Sequence, residues 1–488
     1  MTGPKDLTHL LSEESKSRQP SALKTAFKYF ADPNIVFLGG GLPLSDYFPW
    51  NKITAESPAA PFRNGIGAVP QSADEKVVIE LGKHSSENGH HEDIPLSRSL
   101  QYGYTEGQPE LINFIKEHTK LVHKIPYDGW DIIATIGNTQ SWDATLRTFC
   151  TRGDVILVED YSFSSALETA NAQGVIQFPV PVDDFGIIPE KLESILNDWV
   201  GPKPKLLYTI PTGQNPTGSS LSPERRKAIY KLAQDHDFII IEDEPYYYLQ
   251  MDTYTEDASS RAGKAVHSHK EFLEALVTSF ISLDVDGRVI RLDSFSKVIA
   301  PGSRMGWIVA QKPLLERFVR IHEVTIQTAS GFTQSLINGT LVRWGQEGYL
   351  DWLIGLRQEY THKRDVAIDA VNKYFPKQVS QFTPPVAGMF FTVKFDASKH
   401  PKFESEFGKD PLKVENALYE QGLENGALLI PGSWFKAKGQ TNPPQKDHRV
   451  PGSENIIFFR GTYAAVPLDK LVIGLERFGQ AVTQQFGL

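Results

Sequence analysis

The sequence predicts an α/β fold: a large domain on a mostly parallel sheet flanked by helices, joined to a smaller α+β domain. Five runs, "DIIATIG", "DVILVED", "GVIQFPVP", "KLLYTIP" and "DFIIIEDEP", are continuously apolar, which suits strands buried on both faces rather than alternating, half-exposed ones. Segments of helical pattern separate these runs, as crossover connections between parallel strands require. The 488 residues, 40% hydrophobic, are enough for two domains with a substantial core.

In chain order, a polar arm leads to "NIVFLGGGLPLSDYFPW" (34–50), read as a short strand broken by three glycines and Pro43. Residues 52 to about 100, rich in Gly, Pro, Ser and His, read as long surface excursions. Pro109 opens a helix whose Leu111, Ile112, Ile115 and Leu121 share roughly one face. The five buried runs follow, and a short strand, Arg288 to Leu292, leads into a turn. Beyond the amphipathic "LVRWGQEGYLDWLIGLRQEYTHKRDVAIDAV", strands such as "GMFFTVKF" and "NIIFFRG" alternate with helices. The expected division is 1–58 as arm and part of the small domain, 59–325 as the large cofactor-binding domain, and 326–488 as the small one. Stretches 251–270 and 435–455 read as loop insertions, and there is no internal repeat.

A net charge of −9 without a long basic run argues against a nucleic-acid partner. Cys150 alone forms no internal disulfide and no Cys-based zinc site, which fits a reducing compartment. The first twenty residues mix acids and bases with no apolar stretch, unlike a secretory signal or transit peptide, and no 18-residue apolar run suits a membrane span. The expectation is a soluble cytoplasmic protein. Adjacent His90 and His91 in a polar loop read as solvated, so no metal is expected.

Ligands of a parallel sheet gather beyond the carboxyl ends of its strands. "TIGNTQSW" puts Asn138 and Thr139 at such an end, either as a helix cap or as part of an anion site. "YTIPTGQNPTG" fixes Asn215 before Pro216, as a plain turn or as a side chain aimed at a ligand. "FIIIEDEPYYY" ends in Glu242, Asp243 and Glu244, with Tyr246 close behind; buried acids demand a countercharge, which a structural ion pair could supply. In "RLDSFSKVIAPGSRMGW", Ser294 and Ser296 surround Lys297, with Arg304 seven residues beyond. A lone loop lysine is ordinarily solvated. Together, however, an amine, a strand-end acid with a nearby phenol, hydroxyls and a guanidinium match what pyridoxal phosphate needs: a lysine for its aldehyde, a carboxylate beside its ring nitrogen, donors and a cation for its phosphate.

At these residues the chain resembles the fold type I pyridoxal-phosphate aminotransferases over nearly its whole length. "LGGGLPLSDYFPW", "LQYGYTEGQPEL", "IPTGQNPTG", "EDEPYYYLQ", "DSFSKVIAPGSRMGW", "GMFFTV" and "FFRGTYAA", in that order, are similar to the fungal aromatic amino acid and 2-aminoadipate aminotransferases, relatives of the kynurenine/2-aminoadipate enzymes. The resemblance implies Lys297 as the cofactor-bonding lysine, Asp243 on the pyridine nitrogen, Asn215 and Tyr246 on the phenolic oxygen, and Tyr161 stacked on the ring. It also implies Asn138, Thr139, Ser294, Ser296 and Arg304 as the phosphate cup, with Tyr102 reaching it from the other subunit of a homodimer. Arg460 is implied for the substrate α-carboxylate, which a guanidinium binds through two parallel hydrogen bonds. Gly41 and Asn215 border that pocket, and an implied cis Asn215-Pro216 bond aims Asn215. Lys24 stands where the animal relatives carry an arginine for a distal carboxylate.

The function so implied is ping-pong transfer of an amino group, through pyridoxamine phosphate, between aromatic amino acids (with 2-aminoadipate or kynurenine) and an oxoacid such as 2-oxoglutarate. A carbon–sulfur lyase on the same fold is the alternative. A transcription regulator would need an upstream winged helix, for which about 38 residues before the glycines leave no room. "GIGAVP" lacks the third glycine and the preceding strand of a dinucleotide fingerprint.

Overall fold

Each of the five continuous apolar runs forms a strand, bounded by the residues that end its burial. A computed structural model describes residues 3–20, 29, 32, 34–36, 38–261, 268–439 and 448–488. The chain falls into two units: Met1–Asp154, Phe238–Pro245 and Thr278–Gly355 in one, and Val155–Asp237, Tyr246–Val277 and Leu356–Leu488 in the other.

In the first unit the strands run in the order Trp130–Thr135, Gly306–Gln311, Val289–Ser294, Ile239–Asp243. Val289–Ser294 is parallel to Ile239–Asp243, and Leu292 lies opposite Asp243. Gly306–Gln311 is antiparallel to both its neighbours, which brings Gly306 opposite Ser294 on one side and Thr135 on the other. A Cβ at Gly306 would come within 2.6 Å of the Asp293 carbonyl oxygen, so these strand ends close tightly only around a glycine. Helix Asn138–Phe149 starts three residues after Thr135. Helix Pro109–His123 begins at the expected proline. The long helical stretch Gly331–Tyr374 is interrupted at Gly345, where φ is 65°.

Two expectations need correction here. Residues 52–82 do not simply wander over the surface: Lys52–Pro58 and Lys76–Gly82 pair as an antiparallel ribbon. Ile79, Leu81 and Leu96 form a small core against Ile53 and Ala55; a ribbon with one exposed face needs few apolar residues, which hid the pattern. The described residues of 34–50 hold no strand, only a 3-10 turn at Ser45–Tyr47. Val36 and Leu38 there are 82% and 89% exposed, and the glycines that follow offer no side chain to bury.

In the second unit, Val155–Glu159 lies between Ile176–Val180 and Leu206–Thr209, parallel to both. A separate antiparallel sheet has the order Ser380–Gln381, Phe390–Asp396, Ile456–Thr462, Ile430–Pro431. Burial alternates along Phe390–Asp396, and its inward Val393 and Phe395 join Phe459, Leu418 and Phe478 in one core. Helices Pro411–Glu424 and Leu468–Phe486 supply the last two of these. Of the expected loop at 251–270, residues 251–261 contain only the 3-10 turn Ala258–Ser260, and helix His269–Ala275 begins at its end. Among the described residues no helix is long and apolar enough to cross a membrane, and no cluster could hold a metal ion.

Candidate active site

Strand Val289–Ser294 delivers the lysine. Ser294 caps the following 3-10 turn, Phe295–Lys297, by accepting the Ser296 amide at 3.0 Å. Lys297 is half-buried; burial first, then the neighbouring Arg304 charge, hold its amine below the usual lysine range. Arg304, left-handed at φ 48°, donates to the carbonyls of Ile136 (2.9 Å) and Pro301 (3.0 Å) and to Ser296 Oγ (3.3 Å). The Ser294 and Ser296 hydroxyls lie 2.8 Å apart. Gly137, at φ 105°, lets the guanidinium lie against the start of helix Asn138–Phe149: a Cβ there would stand 2.5 Å from Arg304 Nη2. Helix N–H groups, two hydroxyls and a guanidinium thus gather as an anion cup. Thr139 is an exposed residue in that first helical turn.

The strand-end acids divide their tasks. Arg291, fully buried, pairs with Asp293 at 2.7 Å and with Glu242 at 3.2 Å. Glu242 also accepts the amides of Phe280 (2.7 Å) and Ile281 (3.2 Å), so the structural ion pair is realised at Glu242. Asp243 instead meets helix Asn138–Phe149: Asn138 Nδ2 donates to its Oδ1 at 2.6 Å and to the Leu292 carbonyl at 3.0 Å. Asn138 is therefore not a helix cap; its side chain reaches across to the strand ends. Gly41 is exposed and Tyr102 is 60% exposed in the single chain.

The second unit holds Tyr161, Asn215, Tyr246 and Arg460. Arg460 Nη1 donates to Asn215 Oδ1 at 2.7 Å, and the Asn215-Pro216 bond is cis. The Arg460 guanidinium lies between two rings, 4.4 Å from Phe390 and 4.6 Å from Phe435. Desolvation pulls its pKa down, offset in part by Tyr246. Tyr246 is buried, its ring edge-on to Phe390 at 5.9 Å. Tyr161 is edge-on to Phe458 at 4.8 Å, and burial, then Asp160 and Glu415, push its hydroxyl pKa up. Gln214 Nε2 donates to buried Glu159 (3.0 Å) and to the Tyr161 carbonyl (2.7 Å), tying the Asn215 loop to Tyr161. Sequence reasoning missed Phe435 and Gln214; Phe390 stood within a quoted motif, but nothing there pointed it at Arg460. Lys24 lies outside the described residues.

Residues 74–449 match the family model described as aminotransferase class I and II. The chain belongs to that family. An aromatic amino acid aminotransferase of Schizosaccharomyces pombe is 42% identical over 490 residues, 99% of each chain. The crystal structure of aminotransferase Aro8 from Candida albicans is 65% identical with a TM-score of 0.96, covering all of both chains. At greater distance, the α-aminoadipate aminotransferase LysN of Thermus thermophilus, solved with N-(5'-phosphopyridoxyl)-L-leucine, is 25% identical, with a TM-score of 0.61 over 80% of this chain and 85% of that one. This aminotransferase therefore has the fold type I architecture, and its cofactor is pyridoxal phosphate. The donor set of the first unit fits that group: an amine whose pKa is lowered by burial, a carboxylate held by an amide, and a cup of hydroxyls, guanidinium and helix N–H groups.

Proposed function

We propose that the enzyme moves the amino group between aromatic amino acids and a 2-oxoacid such as 2-oxoglutarate, and that 2-aminoadipate or kynurenine also serves as donor. The observation that carries the chemistry is half-buried Lys297, its amine pKa lowered beside Arg304 and the Ser294–Ser296 pair. The aromatic preference is supported by the named S. pombe relative, similar over its whole length, and the 2-aminoadipate option by the more distant LysN likeness.

Pyridoxal phosphate, when bound, supplies an aldehyde that takes the amino group and a ring that withdraws electrons from the substrate's Cα. Lys297 anchors it. Lys297 Nζ would also act on the substrate's Cα proton, removing it as general base and returning a proton as general acid. Asp243 would hold the ring nitrogen, Asn215 and Tyr246 the phenolic oxygen, and Tyr161 would stack on the ring. Thr139, Ser294, Ser296 and Arg304 hold the phosphate. Arg460 grips the substrate α-carboxylate, with Gly41 backbone and Asn215 beside it.

We further propose a cytoplasmic homodimer in which Tyr102 reaches the partner's phosphate, and a role for Lys24 with distal carboxylates. A panel of phenylalanine, tyrosine, kynurenine, 2-aminoadipate and an S-alkyl cysteine against 2-oxoglutarate and phenylpyruvate tests the reading. Reversible half-reactions with aromatic donors are expected. Release of ammonia with cleavage of a carbon–sulfur bond, without amino transfer, would establish the lyase instead.

A further inference from the structure

We propose that Asn138 is a positioning residue for Asp243 rather than a phosphate ligand, an inference that rests on the ring-nitrogen role proposed for Asp243. Asn138 is the first residue of a twelve-residue helix whose free N–H groups face the anion cup. A phosphate ligand needs a donor, and an asparagine side chain has only the two hydrogens of Nδ2. Both are committed: one to Asp243 Oδ1 at 2.6 Å and one to the Leu292 carbonyl at 3.0 Å. What remains is Oδ1, a buried acceptor with no hydrogen-bond partner among the described residues, and an acceptor repels an anion.

The two acceptors belong together. Leu292 lies opposite Asp243 in the parallel register, and its carbonyl also receives the Glu244 amide at 2.9 Å. Asn138 therefore ties a helix start to the ends of two adjacent strands at the residue whose orientation matters for the reaction. A carboxylate turns easily about its last torsion, so one oxygen must be held if the group is to keep a fixed direction. The helix backbone, Thr139, Ser294, Ser296 and Arg304 are left to hold the phosphate.

The test is a double-mutant cycle on cofactor affinity, read as pyridoxal phosphate released from holoenzyme at equilibrium dialysis, with phosphate-free pyridoxal as second probe. Asn138→Ala is expected to weaken both probes by about tenfold in the wild-type background, as for one hydrogen bond to a charged group. It is expected to weaken them by less than about threefold when Asp243 is already Ala, since the partner is gone. Equal losses in both backgrounds, a loss confined to the phosphorylated probe, or no loss at all would overturn the proposal. If Asn138→Ala does not accumulate as folded enzyme, Asn138→Leu carries the same comparison, being close to asparagine in size but unable to donate. Asp243→Ala alone leaving affinity and the visible spectrum untouched would instead remove the role assigned to Asp243.

Discussion

Replacing Arg460 with lysine keeps the charge and removes the geometry, so it isolates what the guanidinium contributes. The group is clamped between Phe390 at 4.4 Å and Phe435 at 4.6 Å and oriented by Asn215 at 2.7 Å. An ammonium offers a point charge in place of a planar fork: on the role proposed for Arg460, it would lose one of two parallel bonds to the α-carboxylate, about 1.5–3 kcal/mol for a charged pair. It also gives up stacking on two rings, about 0.5–1 kcal/mol in all after partial replacement by the ammonium's own attraction to them. A loss of about 2–4 kcal/mol corresponds to roughly 30- to 1000-fold in kcat/KM for phenylalanine. The assay pairs that rate with two competitive inhibitors, 3-phenylpropionate and 3-phenylpropan-1-ol. The carboxylate inhibitor should weaken in parallel with the substrate and the alcohol should not. If both inhibitors weaken equally, or if phenylalanine turnover stays within threefold of wild type, Arg460 is a structural cation and the carboxylate is bound elsewhere.

Lys297→Ala should abolish turnover, to below a thousandth of wild type in steady-state assays, while circular dichroism stays native. Because the folded-state pKa of Lys297 lies below its ordinary value of 10.5, the unfolded chain binds more protons over that window and stability rises with pH through it. Cofactor-free Lys297→Met should therefore resist urea better than the wild-type apoprotein at neutral pH, with the gap closing as pH climbs toward 10.5; a gap independent of pH would contradict this. Gly137→Ala forces a side chain into a φ of 105° and a Cβ to 2.5 Å from Arg304 Nη2, so cofactor affinity should fall at least tenfold by dialysis, a result that unchanged affinity would refute. Arg291→Met strands Glu242 and Asp293 in the interior, at a cost of about 3–5 kcal/mol, visible as a lower urea midpoint with the cofactor absent.

The strands were legible where burial on both faces left no room for polar residues: every residue of Ile239–Asp243 is buried, and the run announces itself. The ribbon at Lys52–Pro58 and Lys76–Gly82 was not, because a two-stranded ribbon keeps polar residues on its open face and its pairing is set by distant partners, from Pro58 with Lys76 to Lys52 with Gly82. The reversed direction of Gly306–Gln311 was equally hidden. Nothing in "GWIVAQ" distinguishes a parallel strand from an antiparallel one; the connection after Ser294 holds only the 3-10 turns Phe295–Lys297 and Pro301–Ser303 and no helix to cross over the sheet, which its residues do not announce. In the site, residue types that carry chemistry were readable, but their packing partners were not. Thr392 lies opposite Arg460 and Phe390 opposite Thr462, so the ring beside Arg460 comes from a register the chain does not print.

The stretch "EDE" shows how far such a reading can be pushed. Three acids at a buried strand end could each have been the functional one, and the 50 lysines and arginines in the chain offer no obvious countercharge. Yet one arginine stands out once strand burial is taken seriously: Arg291 sits between the apolar Val289-Ile290 and Leu292 of a buried strand, where an unpaired guanidinium would be prohibitively costly. It must meet an acid, and side-chain alternation along a strand limits which one. Arg291 lies opposite Glu242 in the parallel register and pairs with it and with Asp293 on its own strand, two residues on and therefore on the same face. Asp243, one residue beyond Glu242, points to the opposite face, where Asn138 meets it. The arginine that looks misplaced in an apolar strand thus occupies Glu242 and separates it from the acid available for chemistry, a deduction that needs only the pairing of two adjacent strands.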